Sequence, residues 1–377
     1  MKKLAIIGKG TAGCLSIAHY MYYTDWEIDW YYDPETKAQP VGEGGNLAFP
    51  PMLFKILNFD FRDLKNLQGT SKLGIRKIDW SLHNQDFTHL FVPGQHSYHF
   101  DATILQKYVE ERFESDVRVK MIEKRIINNE DVDADFVMDC SGKPKSLENF
   151  TIPKHIPVNA VHVTQCEWER PEFEVTIALA MRHGWVFLIP LQNRCSVGYL
   201  YNADINTLDD IKSDVPEVFT RFNLTPTEKT NSFRFDNYVR NENFKGRISY
   251  NGNASFFLDP MEATSLTFVE QVLRISYDIW HGSMTPDQGN YRFRKKLKEI
   301  EQMIMLHYAA GSIYKSKFWD YAKQNGMTCL KELLNDAEFV DWFNNSPQDN
   351  FMINDRHEYA TWSATSFKQH FLEYKLV

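Results

Sequence analysis

"AIIGKGTAGCLSIAHY", Ala5 to Tyr20, decides how this chain is read. A short apolar strand over residues 4–7 runs into three glycines, Gly8, Gly10 and Gly13, and then into an apolar-periodic helix over residues 12–22. The glycines stand at G-x-G-x-x-G spacing, and each has a separate physical task. Gly8 permits the tight turn, Gly10 lets the backbone approach a pyrophosphate, and Gly13 lets helix and strand pack closely. The pyrophosphate then rests on the helix N-terminus, over Thr11 and Ala12, where free N–H groups and the helix dipole favour an anion.

Working outward, "WEIDWYYD" (26–33) is rich in β-formers and reads as the next strand. It ends at Asp33, 20 residues after Gly13, where an acidic residue holds a ribose hydroxyl in dinucleotide sites. Further on, "ADFVMDCSG" (134–142) reads as a buried strand that closes at Asp139 before a Ser141-Gly142 turn. Such a strand packs on the nucleotide half of FAD enzymes of this architecture, and an NAD dehydrogenase does not require it. The reading therefore leans to FAD, against a plain turn that Asp139 caps for itself.

The rest of the chain sets bounds. Its 377 residues are 43% hydrophobic and 24% charged, ordinary for one large globular unit. A net charge of −8 gives no sign of a nucleic-acid or acidic-membrane partner. The five cysteines are scattered, without a CxxC, which speaks against a zinc site or a disulfide framework and for a reducing cytoplasm. The opening "MKKLAIIGKG" is cut by glycines too early to be a signal peptide, and no run approaches 18 apolar residues, so no membrane span is expected.

The coarse pattern is α/β. "FDATILQKYVEERF" (100–113) reads as an amphipathic helix with Ile104, Leu105, Tyr108, Val109 and Phe113 on one face. Residues 174–191 and "SVGYLYN" read as sheet, and 266–282 as a helix. Helical periodicity dominates beyond about residue 295, with turn signals at "QNGM" and "NNSPQDN". The expected organisation is a Rossmann-like, GR2-type FAD-binding module with an interleaved substrate-side sheet over 1–290, and a helical region over 291–377 packing over the substrate site.

At this point the chain resembles the flavin-dependent halogenases of the tryptophan-halogenase-like family. "VGEGGN" (41–46) resembles the family's Val-Gly-Glu loop near the flavin. "HFDATIL" and "DFVMDCSG" resemble two further segments, and "AMRHGWVFLIPLQNRCSVGYLY" (180–201) is similar to the Trp-x-Trp-x-Ile-Pro stretch. "FLDPMEATSLTF" (257–268) resembles Asp-Pro-Leu-Glu-Ser-x-Gly, and "HYAAGSIYKSKFWDYA" (307–322) resembles the family's Tyr…Phe-Trp stretch. The chain is shorter than typical tryptophan-acting members, as a phage-encoded form would be.

The resemblance implies a mechanism. A separate flavin reductase supplies reduced FAD, which with O2 oxidises halide to hypohalous acid. The acid travels to a lysine, and an electron-rich aromatic small molecule is halogenated there. "GTSKLGIRKIDW" (69–80) resembles the catalytic-lysine segment and assigns that lysine to Lys72, with Lys77 its nearest competitor and a surface position its bland alternative. Glu262 matches the glutamate beside the substrate, although a helix-start carboxylate is also a fair reading. The resemblance puts Val41, Gly42, Glu43, Gly142, Asp259 and Pro260 with the cofactor residues, Asp259 having a structural alternative at the turn. Trp185, Phe187, Ile189 and Pro190 become a wall between flavin and substrate. His89 and Phe91 become the pair that sandwiches an aromatic ring, against two plain core aromatics. Trp362 falls in the region of the substrate lid.

Two departures matter. Phe187 replaces the second Trp of the wall. At the halide site "EATS" places Ala263 and Ser265 where the family has Ser and Gly, so Thr264 and Ser265 would offer the backbone N–H groups. The added Cβ at Ser265 alters the local backbone. The expectation is that chloride is handled poorly and bromide or iodide better. A flavin hydroxylase and a non-catalytic FAD-binding relic stay open as alternatives, and so does the oligomeric state.

Overall fold

A computed structural model describes residues 1–36, 42–91, 94–346 and 358–376. The strand Lys3–Ile7 stands inside a six-stranded sheet. The strand order is Phe244–Lys245, Ile248–Tyr250, Phe136–Asp139, Lys3–Ile7, Glu27–Tyr32, Val119–Glu123. All neighbours are parallel except the short edge strand Phe244–Lys245. Central parallel strands are covered on both faces, which is why "LAII" reads as an unbroken apolar run. Leu4 and Ile6 face the helix Thr11–Tyr23 in one core, and Ala5 and Ile7 face Val137 and Ile248 in another.

A seven-stranded sheet forms the second layer. Its order is Thr225–Arg234, Ala160–Glu167, Arg194–Tyr201, Gly184–Pro190, Thr176–Met181, Gly74–Ile78, Asp86–Leu90. One face packs on the helix Leu208–Arg221 through Ile177, Leu179, Val186 and Leu188. The other carries Ile75, Ala178, Ala180 and Trp185 into the largest core, against the helices Thr264–Trp280, Pro286–Ala310 and Lys317–Leu334. A small sheet, Gly42–Gly44, Ser97–Asp101 and Thr70–Lys72, adds three strands. After the helix Ala337–Asn345, the chain is next described at the hairpin Glu358–Tyr359/Trp362–Ser363 and the helix Ala364–Tyr374.

Several boundaries differ from the sequence reading. The helix expected from residue 100 begins at Ala102, because Phe100 and Asp101 finish a strand and the Asp101 carboxylate caps the helix, accepting from the Thr103 and Ile104 N–H groups. Residues 174–191 are sheet as expected, in the form of two strands of one hairpin. "QNGM" is no turn: it lies inside the helix Lys317–Leu334. A Cβ on Gly326 would lie 2.3 Å from the Ala309 amide nitrogen, so this glycine marks a close helix crossing. The helix before "NNSPQDN" does end, at Asn345, while residues 347–350 lie outside the described chain. Among the described residues, no helix is long and apolar enough to cross a membrane.

Candidate active site

At the nucleotide end, Gly8 has φ 108°, and a Cβ there would lie 2.3 Å from the Cys140 carbonyl oxygen. A Cβ on Gly13 would lie 2.0 Å from the Gly8 carbonyl oxygen. Gly8 is therefore demanded by backbone packing against the end of the Asp139 strand, and Gly13 by the close approach of its helix to the Gly8 turn. Gly10 differs: a Cβ there would meet nothing within 4 Å. The open space lies over a helix start with no side-chain cap and no acidic residue in its first turn. Those orphan N–H groups suit a pyrophosphate, so the residues fit a dinucleotide such as FAD.

Asp33 follows the strand Glu27–Tyr32, with its carboxylate 3.7 Å from Arg125 Nε. The Thr11 hydroxyl donates to Glu43 Oε1 at 2.8 Å, which ties the Gly42–Gly44 strand to the same helix start. Burial pushes the Glu43 carboxyl up to about 7, with the Thr11 bond opposing and Asp101 reinforcing the rise. The Asp139 carboxylate is taken internally, accepting from Asn129 Nδ2 at 2.7 Å and from the Ser141 N–H at 2.9 Å. Gly142 has φ 97° with open space at its Cβ position. Val41 lies outside the described residues.

Lys72 ends the strand Thr70–Lys72, which pairs with one side of Ser97–Asp101 while Gly42–Gly44 pairs with the other. The lysine is thereby brought to the Glu43 loop: a Cβ on Gly44 would lie 3.2 Å from Lys72 Nζ. The Lys72 side chain is fully buried, and its Nζ has no hydrogen-bond partner among the described residues. Burial pulls its ammonium down to about 7, with Glu262 opposing and Lys77 adding to the fall. The surface alternative is excluded by this burial.

Lys77 is also fully buried, and its ammonium pairs with Glu262 Oε1. His307 Nε2 lies 3.4 Å from the same oxygen. Glu262 Oε2 accepts from Trp362 Nε1 at 3.1 Å and lies 3.6 Å from His89 Nδ1. Burial alone would raise this carboxyl. The Lys77 ammonium and the His307 and His89 rings outweigh it and hold Glu262 well below the usual carboxylate range. Glu262 sits at φ 68° in the 3-10 turn Met261–Ala263 that leads into the helix Thr264–Trp280, with its carboxylate turned to Lys77 and Trp362. Ala263 follows at φ 52°. Two consecutive non-glycine residues in the left-handed region store strain.

His89 joins the Glu262 cluster, whereas the Phe91 ring lies 5.9 Å from Lys72 Nζ. Strand alternation puts both on one side, beside the two key side chains separately. Trp185, Phe187, Ile189 and Pro190 share the strand Gly184–Pro190. Trp185 packs near Trp80, with ring centroids 6.1 Å apart. Phe187 lies across Gly198, where a Cβ would be 2.1 Å from its ring. The Pro190 carbonyl accepts from the Thr70 hydroxyl at 2.7 Å, which fastens this strand to that of Lys72. Asp259 is fully buried and turned inward, accepting from the Met261 N–H at 3.0 Å and the Tyr308 hydroxyl at 2.5 Å. Pro260 follows at φ −72°. Thr264 and Ser265 open the helix Thr264–Trp280, whose N-terminus has no side-chain cap.

Sequence reasoning missed His307 and His370. Each is a lone histidine in an amphipathic helix, with no local signal beyond its place on the apolar face. His89, Glu262 and His370 bring potential ligand atoms within 4.8 Å of one another. A cation is disfavoured there, because Lys77 and Trp362 already occupy both carboxylate oxygens and the ammonium repels a second positive charge.

The two layers define a mixed α/β protein with a Rossmann-like, FAD-binding type of fold. The sequence pattern of the tryptophan halogenase family matches residues 94–373, and the chain belongs to that family. It is 27% identical over 205 residues to tryptophan 7-halogenase RebH of Lentzea aerocolonigenes, covering 47% of this chain and 38% of that protein. The chain spans less than half the length of the curated relatives it matches. Among solved structures it is similar to Xcc4156, a flavin-dependent halogenase from Xanthomonas campestris, with a TM-score of 0.81 and 18% identity over 100% of this chain and 89% of that one. It is also similar to BrvH, a flavin-dependent halogenase from Brevundimonas sp. BAL3, with a TM-score of 0.79 and 19% identity over 100% and 90% of the two chains.

Proposed function

We propose that this protein is a two-component, flavin-dependent halogenase of electron-rich aromatic small molecules, with Lys72 as the catalytic residue. One observation carries the reading: a fully buried lysine whose ammonium has no hydrogen-bond partner among the described residues sits between the Glu43–Gly44 strand on the cofactor side and the Glu262 cluster. An unpartnered buried amine is costly, and a protein retains one where it has a task.

Gly8, Gly10, Thr11, Ala12, Gly13 and Asp33 would hold FAD. Bound and reduced by a partner reductase, FAD supplies with O2 the oxidant that converts halide to hypohalous acid. The chain's own residues do the rest. The free N–H groups at Thr264 and Ser265 bind halide. The wall strand from Trp185 to Pro190 keeps the organic ring away from the cofactor, so that oxygen goes to halide.

Lys72, down to about 7, offers both an ammonium and an amine near neutrality. The ammonium hydrogen-bonds hypohalous acid and makes its halogen more electrophilic; the amine can carry the halogen itself. Substitution then exchanges a ring C–H for C–X and releases water. Glu262, held ionised by Lys77, is a weak base in this site. Its better role is to orient the ring and balance the Lys72 charge. Five buried, free cysteines agree with a reducing cytoplasm.

The test supplies FAD, NADH and a generic flavin reductase with phenols, indoles and anilines, and adds chloride, bromide or iodide in turn. Catalase removes free peroxide. Halogenated product is expected from the native protein, and at least 100-fold less from Lys72→Ala. Bromide and iodide should outperform chloride, and equal turnover with chloride and bromide would sink that preference. Halide-independent hydroxylation would replace the reading with a monooxygenase, and FAD binding without any product would favour a relic.

A further inference from the structure

The Glu262 cluster already holds an aromatic ring, and the ring belongs to the chain. Trp362 is 4% exposed and donates its indole N–H to Glu262 Oε2 at 3.1 Å. It stacks on His370 with centroids 3.9 Å apart and planes 25° apart. His89 and His307 present ring edges at 5.0 Å and 5.6 Å. Phe367 closes the far side at 5.1 Å. A flat platform, aromatic edges and one charged acceptor aimed at an N–H are what recognition of a bicyclic N–H aromatic requires.

A tryptophan placed only for packing needs none of this. Burying Glu262, Lys77 and three histidines beside it is expensive, and an apolar surround would be at least as stable. The carrier of the ring is also unusual. Trp362 lies on the two-residue hairpin Glu358–Tyr359/Trp362–Ser363, separate from the sheet that brings Lys77 and His89. Polar ties hold the hairpin to the helix Pro286–Ala310, from the Ala360 N–H to Glu299 Oε2 at 3.0 Å, from the Tyr359 hydroxyl to Gln302 Oε1 at 2.5 Å and from the Thr361 hydroxyl to Met303 Sδ at 3.6 Å, and Tyr359 and Trp362 pack in the main core, so lifting it must break these contacts. Ala360 turns it at φ 56°. Lifting this short element would remove the ring and leave the Glu262 acceptor and the His89 and His307 edges in place.

We propose that Trp362 is an internal occupant of the aromatic subsite, so that a substrate ring reaches Glu262 only by displacing it. The inference rests on the reading of Lys72 and Glu262 as a halogenation site. It makes Trp362 the specificity-determining residue. A tethered ring competes at an effective concentration on the order of millimolar. Small free indoles therefore bind the native protein poorly, and productive substrates are those with contacts enough to lift the hairpin.

The test needs neither flavin nor halide, so it reads independently of the halogenation assay. Indole and 1-methylindole are titrated calorimetrically into the full-length native protein and into Trp362→Ala. Indole should bind Trp362→Ala at least 10-fold more tightly than the native chain and raise the melting temperature of the variant alone. 1-Methylindole, which cannot donate to Glu262, should bind the variant at least 10-fold more weakly than indole. Equal indole affinity for the two proteins, or equal affinity of the two probes for the variant, would overturn the proposal. Should Trp362→Ala not fold, hydrogen exchange of the native protein at the solubility limit of indole decides. Exchange at Tyr359 and Trp362 should accelerate at least 5-fold while the large sheet is unchanged, and unchanged or slowed exchange there would refute displacement.

Discussion

Two lysines five residues apart are both fully buried, and they have opposite fates. Lys77 is neutralised by Glu262, whereas Lys72 faces Gly44 and the Phe91 ring with no hydrogen-bond or ion-pair partner among the described residues. The sequence could name both but could not separate them, because pairing depends on a carboxylate 185 positions away from Lys77. It also could not foresee that His307 and His370 would meet that carboxylate's surroundings, since helix periodicity says only that they face inward. The unpaired state of Lys72 has a thermodynamic signature. Its folded value is about 7 against an ordinary 10.5, so between those values the unfolded chain holds a proton that the fold sheds. Native stability from this group is complete above pH 10.5 and is lost as pH falls to 7. Lys72→Met should therefore stabilise the chain by about 1–4 kcal/mol at pH 7 while abolishing halogenation. The gain should shrink towards pH 10, and urea unfolding at pH 7 and 9.5 checks it. A destabilised Lys72→Met at pH 7 would mean that the amine has a partner in solution.

The elements that build the nucleotide site were legible because each has a local cause. The apolar strand, the G-x-G-x-x-G turn and the helix carry their instructions within 20 residues, and the observed bounds Lys3–Ile7 and Thr11–Tyr23 lie within a residue of the expected ones. Elements defined by distant partners were not legible. "QNGM" has the composition of a turn, yet Gly326 serves a crossing with Ala309, which no local pattern announces. Thr70–Lys72 and Gly42–Gly44 are three residues each and exist because Ser97–Asp101 lies between them. The glycine motif also separates two roles that sequence treats alike. Gly13→Ala would drive a Cβ into the Gly8 carbonyl and should cost about 3 kcal/mol or more. Gly10→Ala enters open space at φ −68°, which alanine tolerates, and should change unfolding free energy by no more than about 0.5 kcal/mol. It fills the cradle, however, so FAD affinity should fall at least 10-fold. Flavin titration beside urea unfolding tests both halves, and normal FAD binding by Gly10→Ala would move the cofactor away from this helix.

At the scale of the whole molecule, family segments spread along the chain converge on one line. It runs from the helix start at Gly10, through Glu43 and Lys72, to the Glu262 cluster, and two sheets and the C-terminal helices must all be in place to close it. The order of motifs was readable from sequence, but the convergence was not, since the hairpin carrying Trp362 reaches Glu262 across 100 positions. Closing so many polar groups inside a fold makes stability depend on pH in a way that no single motif would. Burial pulls His19 down to about 3 and His307 down to about 4, and holds His99 and His370 well below their ordinary 6.5. These rings are neutral in the fold, and their unfolded counterparts take up protons as pH drops below 6.5, so stability is present above that value and is lost beneath it. Glu262, held low by Lys77, adds to the loss at still lower pH. His162 is lowered by burial as well, which makes five histidines, whereas Asp259, raised to about 6, Glu43, raised to about 7, and Glu301, raised by burial, are three groups that work the other way. The melting temperature should therefore fall steeply from pH 6.5 to pH 5. Substituting His307→Gln, which removes one titrating ring from the centre of the cluster, should flatten that fall while lowering stability at pH 8. Calorimetric scans across the range give the slope directly, and a melting temperature constant from pH 7 to pH 5 would show that the histidines are solvated and that the cluster around Glu262 is open in solution.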